Sequence, residues 1–317
     1  MHKNRFKKNK HAHCIVLLLL LTTCFISSCT DHKANPGQRN STTGNYDYKR
    51  TTLLLNTVEE AAEIFQNEGL EALKAYEKTQ ISYGIYFYIY RNSDAFCIYH
   101  GEDSIKINRV VTDQTDLFGK PIHNLILEAL SDTINNPDAW AHFNWPRPDN
   151  IFPTWKTACH RKVVLKDGSD GYIGAGMYGY ISEKEFIKIS VKKACTLLSV
   201  KGDSSLEYIQ APQSPFVFFD CFIFIYDFNG NSIIDPSYKK ESKSNLLLFR
   251  DATNHFPFKA IAEELKTTDE TWNILQFTSP ESMNIRKKVI YCRKTKLRNK
   301  YVIVGSMIDA PQSTWFK

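Results

Sequence analysis

The chain has 317 residues, of which 43% are hydrophobic and 23% are charged, so it is long enough for two domains of ordinary size. Its 40 basic and 34 acidic residues give a net charge of +6, but five of the basic residues lie within the first ten positions, and the rest of the chain carries only +1. This near-neutral balance argues against a nucleic-acid-binding protein.

The first 28 residues have the organisation of an export signal. A basic start precedes the apolar run 15–21, which is too short to span a bilayer, and the run leads to Phe25-Ile26-Ser27-Ser28-Cys29. This ending resembles the bacterial lipobox, in which the peptidase cuts before the cysteine and the thiol receives a diacylglycerol. We therefore predict a signal peptide over 1–28 and lipidation of Cys29; an ordinary secretory signal with an incidental cysteine is the alternative. Several acyl chains would anchor the protein stably to a bacterial membrane, facing the periplasm or the cell surface.

Residues 29–50 are predicted to be a flexible tether, because they are rich in Asn, Ser, Thr, Gly and Pro and lack apolar periodicity. No later segment is a candidate for a membrane span. The most apolar one, 216–228, is interrupted by Asp220 and Asp227 and alternates as a strand does.

The first module is predicted to open with a helix over 57–79, in which Thr57 and Glu60 form a capping box and Gly69 marks a break. The elements predicted after it are strands at 85–90 and 95–99, a helix at 121–130, strands at 139–145 and 155–165, and a hairpin turn at 167–171 that leads into a strand at 172–177.

The second module repeats this order. Its predicted elements are a helix at 184–200, a strand at 216–227 with a turn at 229–230 and a return strand, a helix at 258–265, and strands at 272–278, 286–296 and 300–308. A helix followed by a mostly antiparallel sheet predicts an α+β fold with a PAS-like layout in each module.

The two modules also share a spacing of aromatic residues and one lysine. Trp140, Phe143, Trp145, Pro148 and Lys156 align without a gap with Trp272, Leu275, Phe277, Pro280 and Lys288. Upstream, Tyr88-Ile89-Tyr90 corresponds to Phe224-Ile225-Tyr226. A duplication of about 130 residues predicts tandem modules, which we place at 51–181 and 182–317.

Both modules resemble the Cache domain, in its single-Cache branch. The resemblance rests on Phe118-Gly119-Lys120-Pro121, on the Trp140–Pro148 stretch with Lys156 and the closing Gly174–Tyr178, and on 193–236 with its Phe-Ile-Phe-Ile-Tyr-Asp-Phe-Asn-Gly. Cache domains are extracytoplasmic PAS-like modules that bind ligands in chemoreceptors and histidine kinases. The family usually has Lys-x-x-Tyr on its penultimate strand; Lys288 and Tyr291 keep this pattern, whereas Cys159 follows Lys156.

An aromatic cage with one lysine can bind a small anionic ligand, because aromatic walls exclude water and strengthen a charge-assisted hydrogen bond to the ammonium. We expect each lysine to face one cavity together with the tryptophan of its module, and we favour the first module. The predicted ligand-binding residues are Tyr88, Tyr90, Trp140, Phe143, Trp145, Lys156, Phe224, Tyr226, Trp272, Lys288 and Tyr291. The alternative is that the aromatic residues simply fill the core.

Other chemistries find little support. The segment 227–231 begins like a calcium loop, but its glycine is misplaced and Tyr238 stands at position twelve. Cys159 and His160 are adjacent and point to opposite faces of a strand, which disfavours a Cys–His nucleophile. We predict no cofactor, no metal and no enzymatic activity. Five cysteines follow the lipobox, so at most two disulfides can form.

The function predicted from the sequence is a lipid-anchored, extracytoplasmic binding protein that captures a small polar metabolite, such as a carboxylate or an amino acid. It would act through a membrane receptor, kinase or transporter, since no output domain is recognisable. The alternative is a structural or interaction lipoprotein whose modules no longer bind a ligand.

Overall fold

The computed structural model describes residues 46–147, 150–179, 181, 183–235, 245–278 and 285–310, all within one compact unit, 43–317. The predicted signal peptide, Cys29 and residues 29–45 of the tether lie outside the described residues. Among the described helices, none combines the length and the apolar character that crossing a bilayer requires.

The first half of the fold contains three helices and a five-stranded sheet. In chain order the elements are α1 (Lys49–Glu68), α2 (Leu70–Gln80), β1 (Phe87–Arg91), β2 (Cys97–His100), α3 (Ile122–Ser131), β3 (Ala141–Arg147), β4 (Asn150–Val164) and β5 (Asp170–Tyr178).

The second half repeats this arrangement. Its elements are α4 (Lys184–Lys201), the short α5 (Leu206–Gln210), β6 (Phe224–Asp227), β7 (Ser232–Ile234), α6 (Pro257–Glu264), β8 (Glu270–Thr278), β9 (Ile285–Leu297) and β10 (Lys300–Asp309).

The two sheets have the same strand order. It is β2-β1-β5-β4-β3 in the first sheet and β7-β6-β10-β9-β8 in the second, and every pairing is antiparallel. The predicted α+β fold class, with a mostly antiparallel sheet in each module, is confirmed, and each sheet has five strands. The pairing of Phe143 with Lys156 and of Leu275 with Lys288 also reproduces the aligned spacing of the sequence.

The first helix begins eight residues earlier than predicted. It starts at Lys49, so Thr57 lies in the helix interior and the proposed capping box is wrong. Glu183 instead holds the two residues that precede the helix, because its buried carboxylate accepts from Asp47 N at 2.8 Å and Tyr48 N at 3.0 Å. The predicted break is confirmed at Gly69, where a φ of 86° ends α1.

The strand predicted over 216–227 was too long. Only Phe224–Asp227 pairs in the sheet, and a tight turn in which Cys221 N donates to Phe218 O at 2.8 Å precedes it. Phe216 and Phe218 are nevertheless buried, in the core shared with the long helices. Their apolar character therefore reflects packing between elements and not strand pairing.

Three apolar clusters hold the elements together. The largest joins one face of each sheet to α1 and α4. The other face of the first sheet packs on α3, and that of the second sheet packs on α6. All five described cysteines are buried free thiols, so none of the disulfides that the sequence allowed is formed among them.

Candidate functional site

A cavity opens between the α3 side of the first sheet and the loops that follow β2. Its empty space is about 460 Å³, part of which is open to solvent. We call it the first-sheet cavity; its lining residues are Tyr86, Tyr88, Tyr90, Ala95, His100, Lys106, Val111, Gln114, Ile122, His123, Ile126, Phe143, Trp145, Lys156 and Tyr172. Alternation along β1 and the residue before it brings Tyr86, Tyr88 and Tyr90 to one face.

Lys156 is the central polar group of this cavity. It is only 2% exposed, and its ammonium donates to the Tyr86 hydroxyl and lies 4.3 Å from the Tyr86 ring centroid and 5.2 Å from that of Tyr178. Among the described residues, no carboxylate lies within ion-pairing distance of it. Burial lowers the pKa of Lys156 to about 7; Glu102 opposes this shift and Lys106 adds to it.

Lys106 brings a second cation to the cavity. It lies on the single turn Ser104–Lys106, where its ammonium is 4.6 Å from the Trp145 ring centroid and 3.3 Å from Asp103. Lys106 is not among the residues predicted from the sequence to bind a ligand, because it lies in a loop outside the repeated pattern. The only sequence feature that could have indicated Lys106 is its position three residues after Asp103 in a short turn.

His100, which the sequence analysis also missed, is held as a neutral donor. Its Nδ1 accepts from Asp103 N at 2.9 Å, so the neutral ring carries its proton on Nε2. Burial, assisted by the two cavity lysines and opposed by Asp103, lowers its pKa to about 3. His100 therefore stays uncharged at any physiological pH.

Two more histidines fix the orientation of the cavity tyrosines. The Tyr88 hydroxyl and His160 Nε2 are 2.8 Å apart, and His160 Nδ1 lies 3.0 Å from the Ala139 carbonyl, to which it donates. His123 likewise donates to Asn92 O at 2.9 Å and accepts from Tyr172 at 3.1 Å. These bonds pin the rings that form the cavity wall.

Small residues lie beside Lys156 in the sheet. Ala158 and Gly176 are cross-strand partners in the first sheet, and Ile290 and Met307 occupy the equivalent pair in the second. A Cβ on Gly176 would come within 2.5 Å of Lys156 Cε and 2.9 Å of Thr157 O. Glycine at this position is therefore needed for the lysine to lie where it does.

At the equivalent place in the second sheet, Ile290 and Met307 are buried together with Phe224 and Tyr226. The Tyr226 hydroxyl is already bonded to Phe258 O at 3.1 Å. These contacts place Phe224 and Tyr226 in a filled core and not around an open site.

Lys288 differs from Lys156 in its partners. Its ammonium forms ion pairs with Asp220 and, at 2.8 Å, with Asp309. Burial acts to lower the pKa of Lys288, but the two carboxylates outweigh burial and raise it. Asp309 is the cross-strand neighbour of Lys288, and Tyr178 takes the equivalent position beside Lys156.

The expectation that each lysine faces a cavity with its tryptophan is wrong in both sheets. Trp140 is buried on the opposite face from Lys156, where its Nε1 donates to Tyr46 at 2.5 Å. Trp272 is the cross-strand partner of Tyr291, with ring centroids 4.7 Å apart, on the face opposite Lys288. In each hairpin the tryptophan and the lysine are 16 residues apart, which puts them an odd number of positions out of register and therefore on opposite faces of the sheet. Phe143 and Trp145 share the face of Lys156 instead.

The first-sheet cavity therefore combines two ammonium groups, one histidine N–H donor and tyrosine walls, without an acidic lining residue. Such a site can bind and desolvate a small anion. The described residues contain no cluster of His, Cys, Asp or Glu arranged to hold a metal ion. Cys159 and His160 face opposite sides of the sheet, as predicted: Cys159 lies in the large core and His160 beside Tyr88.

Residues 219–310 match the family model of the Cache domain. Similar solved structures include a periplasmic sensor domain of a chemotaxis protein, with 14% identity, a TM-score of 0.30 and coverage of 38% of this chain and 86% of that one. A structure described as carboxylic acid recognition by a Cache chemosensory domain has 18% identity and a TM-score of 0.31, covering 41% and 94%. The ligand-binding domain of the Pseudomonas aeruginosa PAO1 amino acid chemoreceptor PctB, solved with L-Arg, has 9% identity and a TM-score of 0.29, covering 82% and 87%. A search of curated proteins gives no match.

Proposed function

We propose that the first-sheet cavity binds a small carboxylate and that the protein is a lipid-anchored, extracytoplasmic sensor that acts through a membrane partner. The single observation that carries the ligand proposal is the buried Lys156 ammonium, which faces the cavity without an ion-paired carboxylate. The Cache match over 219–310 supports the sensor class.

The second sheet provides an internal comparison for this proposal. Lys288 occupies the position equivalent to Lys156 and is neutralised by Asp220 and Asp309 of the same chain. In the first sheet, Tyr178 replaces the second of these carboxylates, and Lys156 lines the cavity. A carboxylate ligand would supply there the charge that Asp309 supplies in the second sheet.

A simple carboxylate suits the cavity better than an amino acid. The described lining includes Lys106 and Lys156 but no aspartate or glutamate, so an α-ammonium group would be buried among cations. Two acidic residues lie outside the lining: Asp103 pairs with Lys106 at 3.3 Å, and the exposed Glu102 raises the pKa of Lys156.

We propose that the chain consists of two tandem Cache-like modules, 51–181 and 182–317, of which only the first binds a ligand. The alternative of a non-binding interaction module applies to the second, because Ile290 and Met307 fill the space and Lys288 is already paired. In this proposal the remaining predicted ligand-binding residues have structural roles and do not bind the carboxylate; they are Trp140, Phe224, Tyr226, Trp272, Lys288 and Tyr291.

The proposal is tested by calorimetric titration of the full-length protein with acetate, propionate, lactate and pyruvate, and with glycine and methylamine as comparison ligands. We expect at least one carboxylate to bind and methylamine not to bind, because the cavity lining is cationic. Binding of methylamine alone, or of no carboxylate, would contradict the proposal.

Carboxylate affinity should fall as the pH rises through the pKa of Lys156. The free protein has a Lys156 pKa of about 7, and an anionic ligand raises it because the ligand stabilises the charged form. Affinity is then constant below pH 7 and decreases above it, by roughly tenfold between pH 6 and pH 8. Titrations of wild type from pH 5.5 to 9 check this; a constant affinity over the whole range would contradict it.

The lipid anchor is tested separately through Cys29. Cys29→Ser should leave the protein soluble or unprocessed, because serine cannot accept the diacylglycerol in the Ile26-Ser27-Ser28-Cys29 pattern. The measurement is partition into Triton X-114 with analysis of N-terminal processing. Processing and detergent partition equal to wild type would show that the anchor assignment is wrong.

A further inference from the structure

The two sheets differ at the outer edge of the strand that carries the repeated tryptophan. In the first sheet this edge strand, β3, is closed by the buried side chain of Asn136, whose Oδ1 accepts from Trp140 N and whose Nδ2 donates to Trp140 O, both at 2.9 Å. Asn136 thus satisfies the two backbone groups that an added strand would otherwise use.

The second sheet lacks this closure. The position equivalent to Asn136 is Thr268, whose hydroxyl donates to Glu264 O at 3.1 Å instead. Among the described residues, the outward N–H of Trp272 and the outward C=O of Ile274 have no hydrogen-bond partner. The edge strand β8 therefore presents an open donor and an open acceptor.

Farther along β8 the edge is closed in the same way as in the first sheet. Asp251 accepts from Gln276 N at 3.3 Å, as Asp116 does from Asn144 N at 3.0 Å, and Ala252 N donates to Gln276 O at 2.8 Å. The open part is thus confined to the segment around Trp272 and Ile274. At the repeated tryptophan, the difference between the sheets is the replacement of Asn136 by Thr268.

A long groove follows this open segment. We call it the edge groove; its lining residues are Asp47, Lys184, Glu185, Lys188, His255, Phe256, Pro257, Ala260, Trp272, Asn273, Ile274, Gln276, Lys287 and Val289. Its empty space, including the part open to solvent, is about 1710 Å³. Trp272 is 40% exposed there and is supported from behind by Tyr291.

The charges of the edge groove favour an acidic partner. Both acidic lining residues are ion-paired, Asp47 with Lys184 at 3.6 Å and Glu185 with Lys188 at 3.4 Å. The exposed Lys287 has no ion-pair partner among the described residues, so the groove has one cation in excess. An extended segment with acidic side chains complements this excess.

We propose that the edge groove is a docking surface for an extended acidic peptide segment of a partner protein, which adds to the second sheet as a strand along β8. Trp272 N–H and Ile274 C=O supply main-chain hydrogen bonds, the Trp272 ring supplies apolar contact, and Lys287 selects acidic side chains. This surface is separate from the first-sheet cavity and does not depend on the carboxylate proposal.

The test uses two probes with the full-length protein: the acetylated hexapeptides of alternating valine with glutamate and of alternating valine with lysine. The glutamate peptide is expected to bind at least tenfold more tightly and to slow hydrogen exchange in the fragment that contains 270–276. Equal binding of both peptides, no binding, or unchanged exchange in that fragment would overturn the proposal.

The matched variant is Thr268→Asn, which installs the closure of the first sheet without removing any side chain that lines the groove. It is expected to weaken binding of the glutamate peptide at least tenfold, while Thr268→Ser leaves binding unchanged. Lys287→Glu is expected to reverse the preference between the peptides. Light scattering distinguishes a second copy as the occupant: a wild-type dimer that Thr268→Asn dissociates would contradict the proposal of a partner peptide.

Discussion

Lys156→Met is expected to abolish carboxylate binding while it makes the unliganded protein more stable. The substitution keeps the bulk of the side chain and removes the ammonium that faces the first-sheet cavity. Loss of a buried charged partner typically costs about 2–5 kcal/mol of binding free energy, which is at least roughly a 30-fold loss of affinity. Calorimetric titration of the variant with the carboxylate that binds wild type measures this loss.

The gain in stability follows from the direction of the pKa shift. Folding lowers the Lys156 pKa from 10.5 to about 7, so below pH 7 the charged lysine opposes folding, and this penalty disappears as the pH rises to 10.5. Removal of the lysine should raise the free energy of unfolding at pH 7 by about 1–4 kcal/mol, after allowance for its lost hydrogen bond and ring contacts. Thermal unfolding at pH 7 and pH 10 measures the difference, which should be smaller at pH 10.

Lys288→Met is the matched control, because the same substitution in the second sheet should have the opposite effect on stability. It leaves Asp220 and Asp309 without their shared cation and should lower stability, while carboxylate binding stays as in wild type. An equal loss of stability in both variants would contradict the proposal that Lys156 is a buried cation without a paired carboxylate. Loss of carboxylate binding in Lys288→Met alone would move the site to the second sheet.

Ala158→Ile should close the first-sheet cavity by giving it the residue that fills the second sheet. Ala158 is fully buried, next to Gly176 and on the same face as Lys156, and its equivalent is Ile290. The added side chain should reduce carboxylate affinity at least tenfold. Stability should change by no more than about 1–3 kcal/mol in the destabilising direction, because part of the new volume occupies existing empty space.

The reverse change, Ile290→Ala, distinguishes loss of the cavity from general damage to the fold. It removes a fully buried side chain from the core of the second sheet and should cost about 2–5 kcal/mol of stability. Its carboxylate affinity should equal that of wild type at temperatures where it is folded. Retained affinity in Ala158→Ile would show that the ligand does not occupy the first-sheet cavity.

The sequence predicted the fold well where local patterns decide it. Alternation in the strands and helical periodicity gave the elements of both sheets, and the ungapped spacing of Phe143 with Lys156 and Leu275 with Lys288 reappears as cross-strand pairing. The start of α1 was not predictable, because Glu183, which holds the residues just before it, is 135 residues away from Tyr48 in the chain. The local pattern at Thr57 and Glu60 therefore predicted the wrong start.

The candidate site was only partly predictable. Tyr88, Tyr90, Phe143, Trp145 and Lys156 line the first-sheet cavity, whereas Trp140 points into the opposite core. The face of each residue depends on strand register, and spacing alone does not fix the register across a hairpin. Lys106 and His100 could not be found from the repeat, because neither residue belongs to the repeated spacing of aromatic residues and lysine.

The most direct test of the account is the pKa of the Lys156 ammonium, measured by NMR on protein labelled with ¹³C at lysine Cε and assigned with Lys156→Met. We expect the pKa of Lys156 to be near 7 in the free protein and to rise clearly when the best-binding carboxylate saturates the cavity. A pKa near 10.5 in the free protein, or one that stays unchanged at saturating carboxylate, would contradict the proposal that Lys156 is the ligand-binding cation.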